Sequence, residues 1–186
     1  MAQANPLGVV RMATRNHLIF GIVACWMLMW VAHVGLQINW INYTDRKFEW
    51  GMAQSGASLA LMGFLVGVFP KLIIPRLGLE RSITYGLLVY VCSQFVIAAA
   101  PGVKNEFADF GTPMVVTGLV LASAGSVVFP ATLALLSNQV GDEEKGAVQG
   151  AADTAKTICS VLFGPAMTWI FGYYIGKDAY PMQASL

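Results

Sequence analysis

Charged residues are scarce in this chain of 186 residues, at 11% of the total, where a soluble domain carries about 25%. Hydrophobic residues reach 56%, which a single soluble domain of this length cannot hide from water. The net charge is only +1, so the chain has no electrostatic footprint for nucleic acid. The composition therefore excludes an ordinary soluble domain and a nucleic-acid-binding protein.

Residues that serve catalysis or bind metals are also few. The chain has two histidines and three cysteines, with no C-x-x-C and no His/Cys metal spacing. It also lacks G-x-S-x-G, a P-loop and H-E-x-x-H. Cys25, Cys92 and Cys159 each fall within an apolar segment, where a free thiol behaves as a small hydrophobe. These absences predict that the chain is not an enzyme and holds neither a metal nor a cofactor.

Long apolar segments dominate the chain instead. Five of them lie between residues 17 and 174, separated by short charged or polar clusters. A membrane span needs about 20 mostly apolar residues, and inside lipid its backbone must satisfy its own hydrogen bonds as a helix. The sequence predicts an all-α integral membrane protein with five transmembrane helices. The expected domains are a cytoplasmic N-terminal segment at 1–16, the five-helix domain at 17–174 and a short polar tail at 175–186.

Proline, glycine and charge clusters set the predicted helix boundaries. We expect Pro70 to end the second helix and Pro130 to kink the fourth. A polar and aromatic connection is expected at 39–50, and a charged loop at 141–146 precedes the fifth helix. The predicted helices are 18–37, 52–69, 82–100, 112–138 and a fifth that ends at 174.

The basic residues near the spans predict orientation, because cytoplasmic loops carry an excess of Lys and Arg. The side that holds the N-terminus has six of them and the opposite side has four. This bias favours a cytoplasmic N-terminus. The six are Arg11, Arg15, Lys71, Arg76, Arg81 and Lys145, and the four are Arg46, Lys47, Lys104 and Lys177.

The fifth helix carries a stripe of small and polar residues at steps of three and four, which puts them on one face. Close helix packing explains its glycines and hydroxyls but explains Asp153 and Lys156 badly. Charges inside a span suggest a pathway, and at i and i+3 these two can also pair with each other. Two interpretations stay open: a cytoplasmic gate pair, or residues that line a substrate cavity. Gln149 lies on the same flank as Lys156.

The first helix has a second stripe, formed by Trp26, Trp30, His33 and Gln37. His33 could be a satisfied structural residue, and the two rings could simply pack. Aromatic rings beside His and Gln also suit a cavity for an amphipathic organic molecule. The candidates for a substrate cavity or gate are Trp30, His33, Gln37, Gln149, Asp153 and Lys156. The candidates for helix packing are Gly63, Gly67, Gly118, Gly125, Gly150, Gly164 and Pro165.

Three stretches resemble helices ten and eleven of a major facilitator superfamily transporter: Phe129 to Ser137, Asp142 to Gly150, and Phe163-Gly164-Pro165. Gly67 to Arg81 resembles the basic link between helices eight and nine. The nearest branch is the drug:proton antiporters, which include tetracycline-resistance-like and hippocampus-abundant-transcript-like proteins. The resemblance implies that the chain matches helices seven to eleven, part of the C-terminal half of a twelve-helix transporter.

Transporters of this family enclose a central site between two six-helix halves that rock about it. The first half, with the family's usual proton-coupling acid, and the twelfth helix are not in this sequence. Two functions are therefore expected. One is a secondary active transporter, or a fragment of one, for a small organic or drug-like solute, with ion coupling expected in the full-length family. The alternative is a non-transporting truncated membrane protein, or a helper subunit that packs against other membrane chains.

The partners expected from this resemblance are a small-molecule solute, the lipid bilayer, and either a missing N-terminal half or further copies of the chain. Five helices supply one incomplete wall of the family's central site. The chain alone is therefore expected to be oligomeric or poorly stable in detergent, and not to perform coupled transport as a monomer.

Overall fold

The computed structural model describes residues 17–103, 106–141 and 145–179. Six α-helices and one short 3₁₀ turn, Ala108–Phe110, account for nearly all of these residues, and no strand occurs among them. The all-α prediction is therefore confirmed. The predicted segment 1–16 and residues 180–186 lie outside the described residues. The helices are α1 His17–Phe48, α2 Met52–Leu77, α3 Leu79–Ala99, α4 Gly111–Gly125, α5 Val128–Asn138 and α6 Lys145–Ala179.

Four helical stretches are long and apolar enough to cross a membrane: Gly21–Phe48, Met52–Leu77, Leu79–Ala99 and Ala108–Asn138. The last of these combines α4 and α5 with the turn before them. The remaining helix, α6, has 35 residues and is therefore about 52 Å long. That length exceeds the ~30 Å hydrocarbon core of a bilayer, although the first part of α6 is more polar than the other spans.

The first helix is longer than predicted, because the expected connection at 39–50 is helical as far as Phe48. No proline or glycine interrupts this stretch, and its polar side chains find acceptors. The Asn39 amide donates to the Gly35 carbonyl at 3.0 Å, and the Tyr43 hydroxyl donates to the Ile97 carbonyl at 2.6 Å. The helix ends where Glu49 takes a left-handed φ of 55°.

Pro70 does not end the second helix, because α2 continues through Pro70 and Pro75 to Leu77. A proline inside a membrane helix removes one backbone hydrogen bond without forcing the chain to turn. The stop is Gly78, whose φ of 77° suits glycine. Its N–H bonds to the Ile74 carbonyl at 2.9 Å, which closes the last turn.

The predicted kink near Pro130 takes the form of a break between α4 and α5, one turn before the proline. Proline has no N–H and clashes with the carbonyl four residues earlier, which here belongs to Ser126. Ser126 lies just after α4, and its hydroxyl donates to the Ser123 carbonyl at 2.6 Å. Ser126 and Val127 separate the two helices, and Pro130 is the third residue of α5.

The chain forms two compact units, the first comprising residues up to Trp40 and from Gly150 onward, and the second comprising Ile41–Gln149. In the second unit, α3 packs closely against α4 and α5. A Cβ built on Gly125 would lie 2.8 Å from the Tyr90 Cα, and one built on Gly118 would lie 2.5 Å from Ile97 Cγ1. Small residues let membrane helices approach to this degree.

Candidate functional site

The first unit pairs the beginning of α1 with α6. Trp30 Nε1 lies 3.5 Å from the Ser160 hydroxyl. Further along, a Cβ built on Gly35 would lie 3.5 Å from the Met167 side chain, and one on Gly164 would lie 2.9 Å from Ile38. From Trp30–Ser160 to Ile38–Gly164 the contact moves toward the C-terminal end of both helices, so the two run parallel. If a chain crosses the membrane five times in alternating directions, its first and fifth spans run parallel.

The two charged candidates form an ion pair on α6. Lys156 Nζ lies 2.8 Å from Asp153 Oδ1, with 32% of the lysine side chain and 70% of the aspartate side chain exposed. The same ammonium lies 5.1 Å from the centre of the Trp30 ring, within the range of a cation–π interaction. Lys156 therefore contacts both an anion on its own helix and an aromatic face on α1.

An aromatic ladder on α1 continues from this point. The Trp26 and Trp30 rings stack with centroids 6.1 Å apart and planes 16° apart. The Trp30 and His33 rings follow at 5.5 Å. His33 is buried, and its Nε2 lies 3.0 Å from the Gln37 amide nitrogen. Because an amide nitrogen can only donate, His33 Nε2 accepts this hydrogen bond from a residue of its own helix.

The structure thus brings five predicted candidates together as one cluster: Trp30, His33, Gln37, Asp153 and Lys156. Gln149 is an exposed residue of α6 that belongs to the second compact unit. The cluster also contains Trp26 and Ser160, which helical spacing placed in the stripes of the first and fifth predicted helices but which were not named as cavity candidates.

A groove of about 710 Å³ opens beside this cluster. Its volume falls within the ~300–1,000 Å³ of small-molecule sites, which are mostly apolar with a few polar groups. Ser160 belongs both to the groove and to the contact with Trp30. The groove is lined by Ile38, Ser160, Val161, Gly164, Pro165, Thr168 and Trp169.

The packing candidates fall into two environments. Gly118, Gly125 and Gly164 lie against neighbouring residues, where a Cβ would meet atoms closer than 3.0 Å. Gly63, Gly67 and Gly150 have nothing within 4 Å of an added Cβ, so these three have no close contact at that point of the described structure. Pro165 lies inside α6 and lines the groove.

Several known proteins are similar to this chain. It is 33% identical over 132 residues to the class G tetracycline resistance protein of Vibrio anguillarum, covering 68% of this chain and 30% of that protein. It is 28% identical over 145 residues to the class E protein of Escherichia coli, covering 76% and 33%. With the class C protein of Escherichia coli the identity is 23% over 161 residues, covering 84% and 38%.

The chain spans only about a third of the length of these relatives. No protein-family model matches it, and no solved structure matches it significantly. The sequence similarity nevertheless agrees with the long apolar helices described above. The chain is a multi-pass integral-membrane protein, and tetracycline resistance proteins are its homologues at low to moderate identity.

Proposed function

We propose that this chain forms part of a secondary active transporter of the major facilitator superfamily, in its drug:proton antiporter branch. Its five spans would correspond to helices seven to eleven, and a six-helix half would complete the transport path. The solute would be a small organic molecule, exported in exchange for protons. We propose no enzymatic activity. Two findings support the proposal: the similarity to tetracycline resistance proteins, and the cluster of residues on α1 and α6.

The observation that carries this proposal is the shared Lys156 ammonium, held by Asp153 and by the Trp30 ring. Lys156 lies 11 residues after Lys145, the first residue of α6, and 13 residues before Trp169. At 1.5 Å per residue these separations are about 16 Å and 20 Å. The pair therefore lies about three turns into α6, just before the mostly apolar stretch 158–174, and a path between the two halves of a secondary transporter could reach it there.

The contacts of Lys156 favour a cavity-lining role for the pair over a role as a cytoplasmic gate. Lys156 contacts Trp30, which also reaches Ser160 of the groove. A solute in the groove would contact Ser160, which lies one helical turn after Lys156 and against Trp30.

Co-expression with a complementary half tests the proposal. The chain is expressed with the part of the class G relative that lies N-terminal to the matched stretch, and tetracycline uptake is measured in inverted membrane vesicles under a proton gradient. We expect gradient-driven uptake only when both pieces are present. Asp153→Asn and Lys156→Met should each abolish it, whereas Arg76→Gln, an exposed change at the end of α2, should not. Full uptake by both pair variants would contradict the assigned site.

A helper that packs against other membrane chains remains a second candidate, because α2 is poorly covered. Only 11% of its most apolar window is buried, against 50% for Ala108–Asn138. Gly56, Gly63 and Gly67 are open to a neighbour, and Phe64 beside them is 68% exposed. Affinity purification separates the candidates. A helper would co-purify with an intact membrane protein and lose it on Gly63→Leu, with no gradient-driven uptake in any combination.

A further inference from the structure

The groove between α1 and α6 is lined almost entirely by hydrocarbon. Its two hydroxyls are both used within α6. Ser160 donates to the Lys156 carbonyl at 2.9 Å, and Thr168 donates to the Gly164 carbonyl at 3.1 Å. Of the other lining residues, only Trp169 has a polar side-chain atom. The groove therefore suits an apolar chain, which brings no polar group that the lining would have to satisfy.

The groove begins where α6 changes from polar to apolar. The part of α6 before residue 158 includes the charged pair, whereas 158–174 is mostly apolar. Ser160 lines the groove in the first turn of that apolar stretch, and Val161 beside it is 67% exposed. In a helix that enters the bilayer at this point, the hydrocarbon chains of lipids surround the open side of the groove.

The charged pair lies just before this end of the groove. Lys156 Nζ bonds to Asp153 Oδ1 at 2.8 Å, which uses one of three ammonium donors and one of two carboxylate oxygens. The aspartate side chain is 70% exposed and the lysine side chain 32% exposed. Asp153 precedes Ser160 by seven residues, about 10 Å along the helix. A positive and a negative group side by side complement a ligand that carries both signs close together.

We propose that α1 and α6 bind one phospholipid with a zwitterionic headgroup that ends in a primary ammonium, of the phosphatidylethanolamine class. An acyl chain lies in the groove, the phosphate accepts from Lys156, and the ammonium donates to Asp153. Charge complementarity selects this headgroup. An anionic lipid has no cation for Asp153, and the quaternary ammonium of a choline lipid has no N–H to donate.

This site goes beyond the proposed transport and does not depend on it, because it requires only that the stretch 158–174 lies in the bilayer. Where the chain does transport, solute and lipid share the contact with Ser160. The lipid then fills the groove until a solute displaces it.

Native mass spectrometry of the purified full chain tests the headgroup. Phosphatidylethanolamine, phosphatidylcholine and phosphatidylglycerol with the same acyl chains are added in turn, and the apparent Kd of each is measured. We expect the first to bind about tenfold more tightly than the other two, and Asp153→Asn to remove that preference. Lys156→Met should weaken all three, because each carries a phosphate. Glu80→Gln is the matched control, since Glu80 is an exposed carboxylate on α3 in the second unit, and it should keep the preference.

A second variant tests the groove. Val161→Trp fills it and should raise the Kd of all three lipids about tenfold. Val91→Trp is the matched control, because Val91 is a 52% exposed valine on α3, away from the groove, and it should bind lipid as the wild type does. If Val161→Trp unfolds at a lower temperature than the wild type, Asp153→Asn decides alone, since it leaves the groove unchanged.

The contrary results are equally definite. Equal binding of the three lipids by the wild type, or tightest binding of phosphatidylglycerol, would overturn the inference. Wild-type affinities in a stably folded Val161→Trp variant would overturn it as well. Each of these results leaves the proposed transport standing, whereas failure of the two-piece uptake experiment removes the transport proposal and leaves the lipid site in place.

Discussion

Two glycines with the same apparent role should respond in opposite ways to alanine. At Gly125, an added Cβ would meet the Tyr90 backbone N at 2.7 Å and its Cα at 2.8 Å. Backbone atoms cannot rotate away, so α3 and α4 must separate, which is overpacking that costs about 1–3 kcal/mol. At Gly63 nothing lies within 4 Å of the added methyl. Alanine there should stabilise the helix by about 0.5–1 kcal/mol, because glycine loses more entropy on folding.

The assay is thermal unfolding of the purified chain in one detergent, with Gly125→Ala and Gly63→Ala compared with the wild type. For a domain of 150–250 residues, 1 kcal/mol shifts Tm by about 2–4 °C. We expect Gly125→Ala to lower Tm by several degrees and Gly63→Ala to leave it equal or slightly higher. Gly125→Ala at the wild-type Tm would refute the close approach of the two helices. A comparable loss at Gly63 would show that α2 is covered in the purified protein, for example by a second copy.

Two further predictions concern the placement of the helices in the membrane. Single cysteines are introduced into a variant without the native cysteines and labelled with an impermeant maleimide. Met52→Cys and Val103→Cys should react from one side of the membrane, and Glu80→Cys and Gly141→Cys from the other. A cysteine of one pair that reacts from the side of the other pair would contradict five alternating spans. Trp169 is 70% exposed and stacks on a tyrosine in the last part of α6. In a variant that keeps Trp169 as its single tryptophan, we expect its fluorescence to be quenched most by lipids brominated near the headgroup, because tryptophans are enriched at membrane interfaces. Stronger quenching by lipids brominated deep in the acyl chain would contradict an interfacial position.

The membrane spans were predictable from the sequence because each depends on the summed hydropathy of about 20 residues, and no single contact decides whether a span forms. The exact ends of the helices were less predictable. Pro70 reads as a stop in sequence, yet α2 continues to Leu77 and ends at Gly78, where φ is positive. Proline removes one hydrogen bond, whereas a glycine with positive φ turns the chain. The sequence contains both residues but does not show which one the rest of the fold uses.

The candidate site was partly predictable from spacing within single helices. Trp30, His33 and Gln37 lie on one face of α1, and Asp153 and Lys156 lie on one face of α6, as their intervals of three and four require. The pairing of α1 with α6 was not predictable, because residues 130 apart, such as Trp30 and Ser160, meet only in the folded chain. The glycines show the same limit. Gly63 and Gly125 were both predicted to pack against another helix, but only the structure shows what lies opposite each.

The charged pair is the feature that packing cannot account for. An ion pair at i and i+3 on a helix contributes about 0.2–0.5 kcal/mol, whereas a charge inside a span costs more, up to about 2.5–3.5 kcal/mol at its centre on insertion scales. Glycine, serine or threonine at 153 and 156 would pack as well without that penalty. Asp153, 70% exposed on its helix, must therefore meet water, a lipid headgroup, a solute or another chain when α6 crosses the bilayer. A water-filled transport path supplies that environment, and a purely structural contact with lipid chains does not.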